Sequence, residues 1–213
     1  MVRVHFILIA EGRSDDALLP HLENLCIDQG ATEVTGTAPD FSRLADAVGH
    51  SVQAKLSAAM DLEPGANLVF IHRDADGRDP RPRYDEISVA ATATRLDKPY
   101  VAVVPVQATE AWLLTDERAI RAAAYRANGT RPLSIPRPHD VEQRARPKDV
   151  LRTALAAASE LSGRRLERFR KDFPQQRRML LLRLPIGGPL EHVPSWRKLR
   201  SDIGEAIASL PRG

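Results

Sequence analysis

The chain has 213 residues, 43% of them hydrophobic and 28% charged, which is enough apolar material for a sizeable core and excludes a disordered chain. One cysteine, Cys26, excludes a disulfide framework and a thiolate metal cluster. The net charge of +3 is unevenly spread: from Glu142 to Gly213 there are 16 Lys and Arg against 8 Asp and Glu, while the rest of the chain is net acidic.

Val4–Ala10 is an apolar run of the kind found in a strand covered on both faces. It is too short to span a membrane and no cleavage site follows, so a cytoplasmic protein with no membrane association is expected. Ser14 reads as a helix N-cap with Asp15 and Asp16 in the first turn. Leu18, Leu19, Leu22, Leu25 and Cys26 follow at helical spacing, with Pro20 as a possible kink and Gly30 as the stop. Cys26 is expected to pack as a small apolar residue. A weak strand around Val34 precedes a stripe of Phe41, Leu44, Val48, Val52, Leu56 and Met60, which predicts a helix starting near Asp40. Leu68–His72 and Tyr100–Val106 are two further strong strands, separated by a turn-rich stretch from Gly77 to Arg83 and an Ala-rich helix from about Asp85. Thr109 caps a helix carrying Ala111, Trp112, Leu113 and Leu114. Alternating strands and helices predict an α/β protein with a doubly wound, mainly parallel sheet.

The character changes after Asn128-Gly129. Pro132, Pro136, Pro138 and Pro147 mark residues 129–147 as a Pro-rich connection. Beyond it only helices are predicted, at roughly Pro147–Leu161, Arg164–Asp172, Gln175–Leu184 and Pro194–Leu210. The division is therefore an α/β domain over 1–128, the connection, and a basic helical part over 148–213.

Three acidic stations follow the three strong strands: Glu11, the pair Asp74 and Asp76, and Glu110. In an open parallel sheet, residues just past the strand ends meet in one crevice. Carboxylates crowded there need a cation or shared protons, and oxygen donors suit Mg²⁺ or Mn²⁺. Asp74 and Asp76 share a side if the chain stays extended. Each station also has a plain reading, as a turn or a dipole-favoured residue at a helix start. His72 beside the acids is a candidate ligand or a hydrogen-bonded structural residue, and His5 reads as a core residue. No P-loop, G-x-G-x-x-G or G-x-S-x-G pattern is present, which excludes Walker-type and serine chemistry.

Glu11 after the first strand and Asp74-x-Asp76 after a later one resemble the Toprim (topoisomerase–primase) fold. Glu11-Gly12-Arg13-Ser14-Asp15 and Glu110-Ala111-Trp112-Leu113-Leu114 are similar to motifs of an uncharacterised prokaryotic Toprim-like family. The Pro147-Lys148 helix start and Val193-Pro194-Ser195-Trp196 add to the likeness. More distantly, the chain resembles the nuclease half of overcoming-lysogenization-defect proteins. The resemblance implies a metal site of Glu11, Asp15, Asp74, Asp76 and Glu110, with Glu11, Asp74 and Asp76 catalytic. It also implies a Mg²⁺- or Mn²⁺-dependent phosphodiester-cleaving protein acting on nucleic acid.

A leaving-group lysine would come from Lys148 or Lys98. On a helix, Arg164, Arg168 and Lys171 share one face, with Arg177 and Arg178 following, and form a candidate nucleic-acid grip. The alternatives are a non-catalytic Toprim-like binding module of a multi-component defence or mobile-element system, with a partner such as an ATPase, and an enzyme acting on a small phosphorylated substrate.

Overall fold

Phe6, Ile7, Leu8 and Ile9 are all buried, as a strand covered on both faces requires, and they form the end of β1 (Arg3–Ile9). In the computed structural model, which describes residues 1–44 and 46–211, β1 is joined by β2 (Glu33–Thr37), β3 (Leu68–His72) and β4 (Tyr100–Val103). Among the described residues these make one all-parallel sheet in the order β2-β1-β3-β4. The α/β fold class and its helical C-terminal part are as expected, and they agree with a Toprim-like arrangement.

The chain divides into two compact units. The first holds Met1–Asp74, Asp79–Val104 and the segment from Lys198; the second holds Ala75–Arg78 and Pro105–Arg197. The expected boundary near residue 128 therefore lies inside the second unit.

In the first unit, α1 (Leu19–Asp28) connects β1 to β2, α2 (Val52–Leu62) connects β2 to β3, and α3 (Arg81–Ala93) lies between β3 and β4. Right-handed crossovers put α1 on one face and α2 with α3 on the other, and α2 does pack against α3. The winding direction thus reverses between β1 and β3. Ile9 is in register with Ile71, so the residues leaving these two strands emerge side by side. The core includes Phe6 and Phe70 edge to face, with ring centroids 4.8 Å apart. Gly36 on β2 lies opposite Phe6, and a Cβ there would clash with the Phe6 ring.

Several local expectations are corrected. The helix predicted from Asp40 begins only at Val52; Ala45, which its span includes, is outside the described residues. Two short polar caps intervene, Asp40 accepting from the Ser42 N–H and Ser51 from the Ala54 N–H, so side-chain bonds to backbone win over apolar spacing. Arg13–Leu18 is a 3-10 turn with Gly12 at its cap position, and Pro20 sits in the first turn of α1, where a missing N–H costs nothing. The third strong strand stops at Val103, just before Pro105, which cannot donate to a ladder. Cys26 is fully buried, and burial pushes its thiol up to about 12.

The second unit contains α4 (Glu110–Leu113), α5 (Glu117–Ala123), α6 (Pro147–Ser159), α7 (Gly163–Lys171), α8 (Phe173–Leu182) and the start of α9 (Pro194–Ser209). Trp112 and Trp196 stack edge to face at 5.0 Å, and Trp112 Nε1 donates to Ser195 Oγ at 2.9 Å. The two Trp-bearing motifs therefore meet as a core. The Pro-rich stretch is pinned into the same unit: Glu160 accepts from the N–H groups of Thr130 and Arg131, Val141 is fully buried, and Glu142 accepts from Ser195 N–H. Those backbone donors hold the Glu160 carboxyl below the usual range. The stretch carries a short 3-10 helix, Pro138–Gln143, and is packed despite its prolines.

Candidate functional site

The reversal between β1 and β3 is where an open parallel sheet forms its binding crevice. Glu11 and Asp74 stand there, two residues past Ile9 and His72. Glu11 Oε2 accepts from the Asp74 N–H at 3.0 Å, tying the two strand exits together. Asp15 reaches the same place from its 3-10 turn. His72, fully buried at the end of β3, lies between the aspartates: Nδ1 is 4.0 Å from Asp15 Oδ2, and Nε2 is 3.5 Å from Asp74 Oδ1. Side-chain exposure rises outward, from 9% at Asp15 to 22% at Asp74 and 36% at Glu11, so solvent reaches the outer carboxylates.

Cations are interleaved with these acids. Arg73 spans Glu11 Oε1 at 3.6 Å and Glu86 Oε1 at 3.5 Å. Arg83 pairs with Glu86 at 2.8 Å and donates from Nε to the Asp74 carbonyl at 3.1 Å. Lys55 on α2 donates to the carbonyls of Ala10 and Glu11 at 3.0 and 2.8 Å. Burial, then the Arg73 charge, hold the Lys55 ammonium below the usual lysine range, against the opposing pull of Glu11, Asp15 and Asp16. Beside it opens a cleft of about 380 Å³, lined among others by Leu8, Glu11, Arg13, Asp40 and Lys55.

Lys55, Arg73, Arg83 and Glu86 were not singled out from sequence. Lys55 carried a usable signal: it lies three residues after Val52 and one before Leu56, both buried, so its ammonium flanks the apolar stripe. Lys98, a sequence candidate for proton donation, is half-buried and donates to the Pro64 carbonyl. Lys148 lies exposed in the first turn of α6, in the second unit.

Asp76 and Glu110 belong to the second unit. The extended geometry expected of Asp74-x-Asp76 is not found, because β3 ends at His72 and Asp76 takes a left-handed turn conformation with φ 54°. The turn is held by Asp76 N–H donating to Gln107 O and Gln107 N–H to Gly77 O, both at 2.9 Å. Glu110 is buried at the start of α4, and Arg177 Nε donates to its Oε1 at 2.9 Å. Arg177 is thus a core ion-pair partner and not part of the basic face expected after α7. Arg164, Arg168 and Lys171 are exposed on one face of α7, and the buried Phe169 lies on the opposite side of the helix.

Glu11, Asp15 and Asp74 offer carboxylate oxygens in one crevice, a donor set whose chemistry fits a hard divalent cation. Among the described residues, no three His, Cys, Asp or Glu side chains are gathered as a ready ligand cluster. Among the described residues, too, no helix is long and apolar enough to cross a membrane. No family model matches the chain, and neither a curated protein nor a solved structure matches it.

Proposed function

We propose that the β1/β3 crevice is the active site of a Mg²⁺- or Mn²⁺-dependent phosphodiesterase acting on nucleic acid, in the manner of a Toprim-like nuclease. The observation that carries this reading is the hydrogen bond from the Asp74 N–H to Glu11 Oε2, which sets the Glu11 carboxylate beside Asp74 at the winding reversal. Glu11 and Asp74 would hold the cation, with Asp15 beside them. When bound, the cation would polarise a phosphoryl oxygen and lower the pKa of attacking water.

The protein's own groups have distinct tasks. His72, closed off from solvent, stands between Asp15 and Asp74 and limits the space open to their carboxylates. Arg73, held between Glu11 and Glu86, presents N–H donors toward a phosphate oxygen at the crevice. Lys55 fixes the backbone carbonyls that carry Glu11. The exposed cations Arg164, Arg168 and Lys171 would grip the polyanion through counterion release.

The test incubates end-labelled linear DNA, plasmid and RNA with the protein in Mg²⁺ or Mn²⁺, alongside Asp74→Asn. Cation-dependent cleavage lost in Asp74→Asn is the expected result. Absence of cleavage on all three substrates rejects it. A second reading is favoured by the resident partners of the acids: Arg73 already faces Glu11, and His72 lies between Asp15 and Asp74. On that reading the crevice stabilises a non-catalytic binding module, with a partner protein such as an ATPase supplying the activity. Nucleic-acid binding without cleavage would support it.

A further inference from the structure

The second unit carries a cavity of about 660 Å³, which lies among α6, α7 and α8. It exists because α6 turns its large apolar side chains elsewhere. Leu151, Ala154, Leu155 and Ala158 are buried, and α6 packs on α4 and α5. Toward the cavity α6 offers Ala156 and Ala157 as its apolar side chains, beside Asp149, Arg152 and Thr153. Opposite stand Leu166 and Phe169 of α7 and Phe173 of α8. The α6–α7 turn passes through two left-handed residues, Glu160 and Gly163.

The charged residues around this apolar floor are mainly cations. Arg131, Arg152 and Arg170 line it with Asp149, and Arg170 is paired with Glu167 of its own helix at 2.9 Å, which leaves Arg131 and Arg152 as the cations offered to an occupant. Arg152 stacks its guanidinium 4.7 Å from the centre of the Phe173 ring, which fixes a cation at the boundary between the apolar floor and solvent. Asp149 lies 3.6 Å from Arg152, an exposed pair that neutralises it only weakly. Across α7, at 100° per residue, Leu166, Phe169 and Arg170 lie on the side opposite Arg164, Arg168 and Lys171. The cavity is therefore not an extension of the proposed nucleic-acid grip.

The geometry points to a binding site for a small organic anion with a flat apolar body, its rings against Leu166, Phe169 and Phe173 and its anionic group toward Arg152 and Arg131. The volume falls within the range of small-molecule pockets, roughly 300–1,000 Å³. A bare inorganic anion would leave the apolar floor unused, and an uncharged hydrocarbon would make no use of the Arg152 and Arg131 guanidinium groups.

The test uses the full chain and two fluorescent probes: 1-anilinonaphthalene-8-sulfonate, and its uncharged analogue N-phenyl-1-naphthylamine. The sulfonate is expected to bind saturably, one per chain, and more tightly than the neutral probe. Ala156→Trp, which fills the cavity, should weaken sulfonate binding about tenfold or more with the melting temperature unchanged. Arg152→Ala should weaken the sulfonate by up to about fivefold, as expected for a partly exposed charge, and leave the neutral probe unaffected. Non-saturable binding, equal affinity for both probes, or sulfonate binding that survives Ala156→Trp would overturn the assignment. Nuclease activity is not part of the readout, so the outcome is independent of the proposed function.

Discussion

Glu110 is the acidic residue whose structural role departs furthest from its sequence-based expectation, and its partner allows a sharp test. Its side chain is 5% exposed and that of Arg177 is 9% exposed, with Nε to Oε1 at 2.9 Å. In such a pair the desolvation cost of two ions is offset only while both are present. Arg177→Met strands a buried carboxylate and should cost about 3–5 kcal/mol. Glu110→Leu strands a guanidinium and should cost a similar amount. The double variant removes both charges and replaces them with apolar volume, so it should recover most of the loss and leave a coupling energy above about 2 kcal/mol. Urea denaturation of the four proteins, with m-values compared, gives this coupling directly. Additive single losses would refute the reasoning, because they would mean that Glu110 and Arg177 stabilise the unit through other groups.

Gly36→Ala should cost about 1–3 kcal/mol in the same assay, because its Cβ would press on the fully buried Phe6 ring; an unchanged midpoint would refute the packing argument. Cys26 should make stability pH-dependent in the alkaline range. Its folded pKa is raised from 9.0 to about 12, so its contribution is complete below pH 9 and is lost as pH rises toward 12, by about 1.4 kcal/mol at pH 10. Cys26→Ala should show a flatter decline between pH 8 and pH 10 in guanidinium titrations, and an identical decline would refute this. Asp76→Asn keeps a residue that tolerates the left-handed turn, so its melting temperature should not fall. Cleavage lost in that variant would assign a role to the Asp76 carboxylate, and cleavage retained would confine the residue to the turn.

The parts of the fold that follow from repeated apolar spacing were legible. Val4–Ala10, Leu68–His72 and the four C-terminal helices were placed within a few residues of their observed limits, because burial on one or both faces leaves a periodic trace. The late start of α2 was not legible, since the stripe from Phe41 to Met60 continues through two side-chain caps that periodicity ignores. At the site, the strand exits identified Glu11 and Asp74 correctly as neighbours. Asp76 and Glu110 could not be sorted from them, because a left-handed φ and a buried pairing with Arg177 depend on contacts distant in sequence. The same limit hid Arg73 and Lys55, so the crowding of carboxylates looked more severe than it is: the chain supplies part of the compensating charge itself.

The central claim is that Glu11 and Asp74 form a divalent-cation site, and calorimetric titration with Mn²⁺ tests it most directly. Wild-type protein should bind Mn²⁺ saturably. Asp74→Asn and Glu11→Gln should each weaken binding at least about tenfold, since each removes a charged oxygen donor, while Glu110→Gln should leave the isotherm unchanged. A flat wild-type isotherm, or binding that persists unchanged in both Asp74→Asn and Glu11→Gln, would contradict the account.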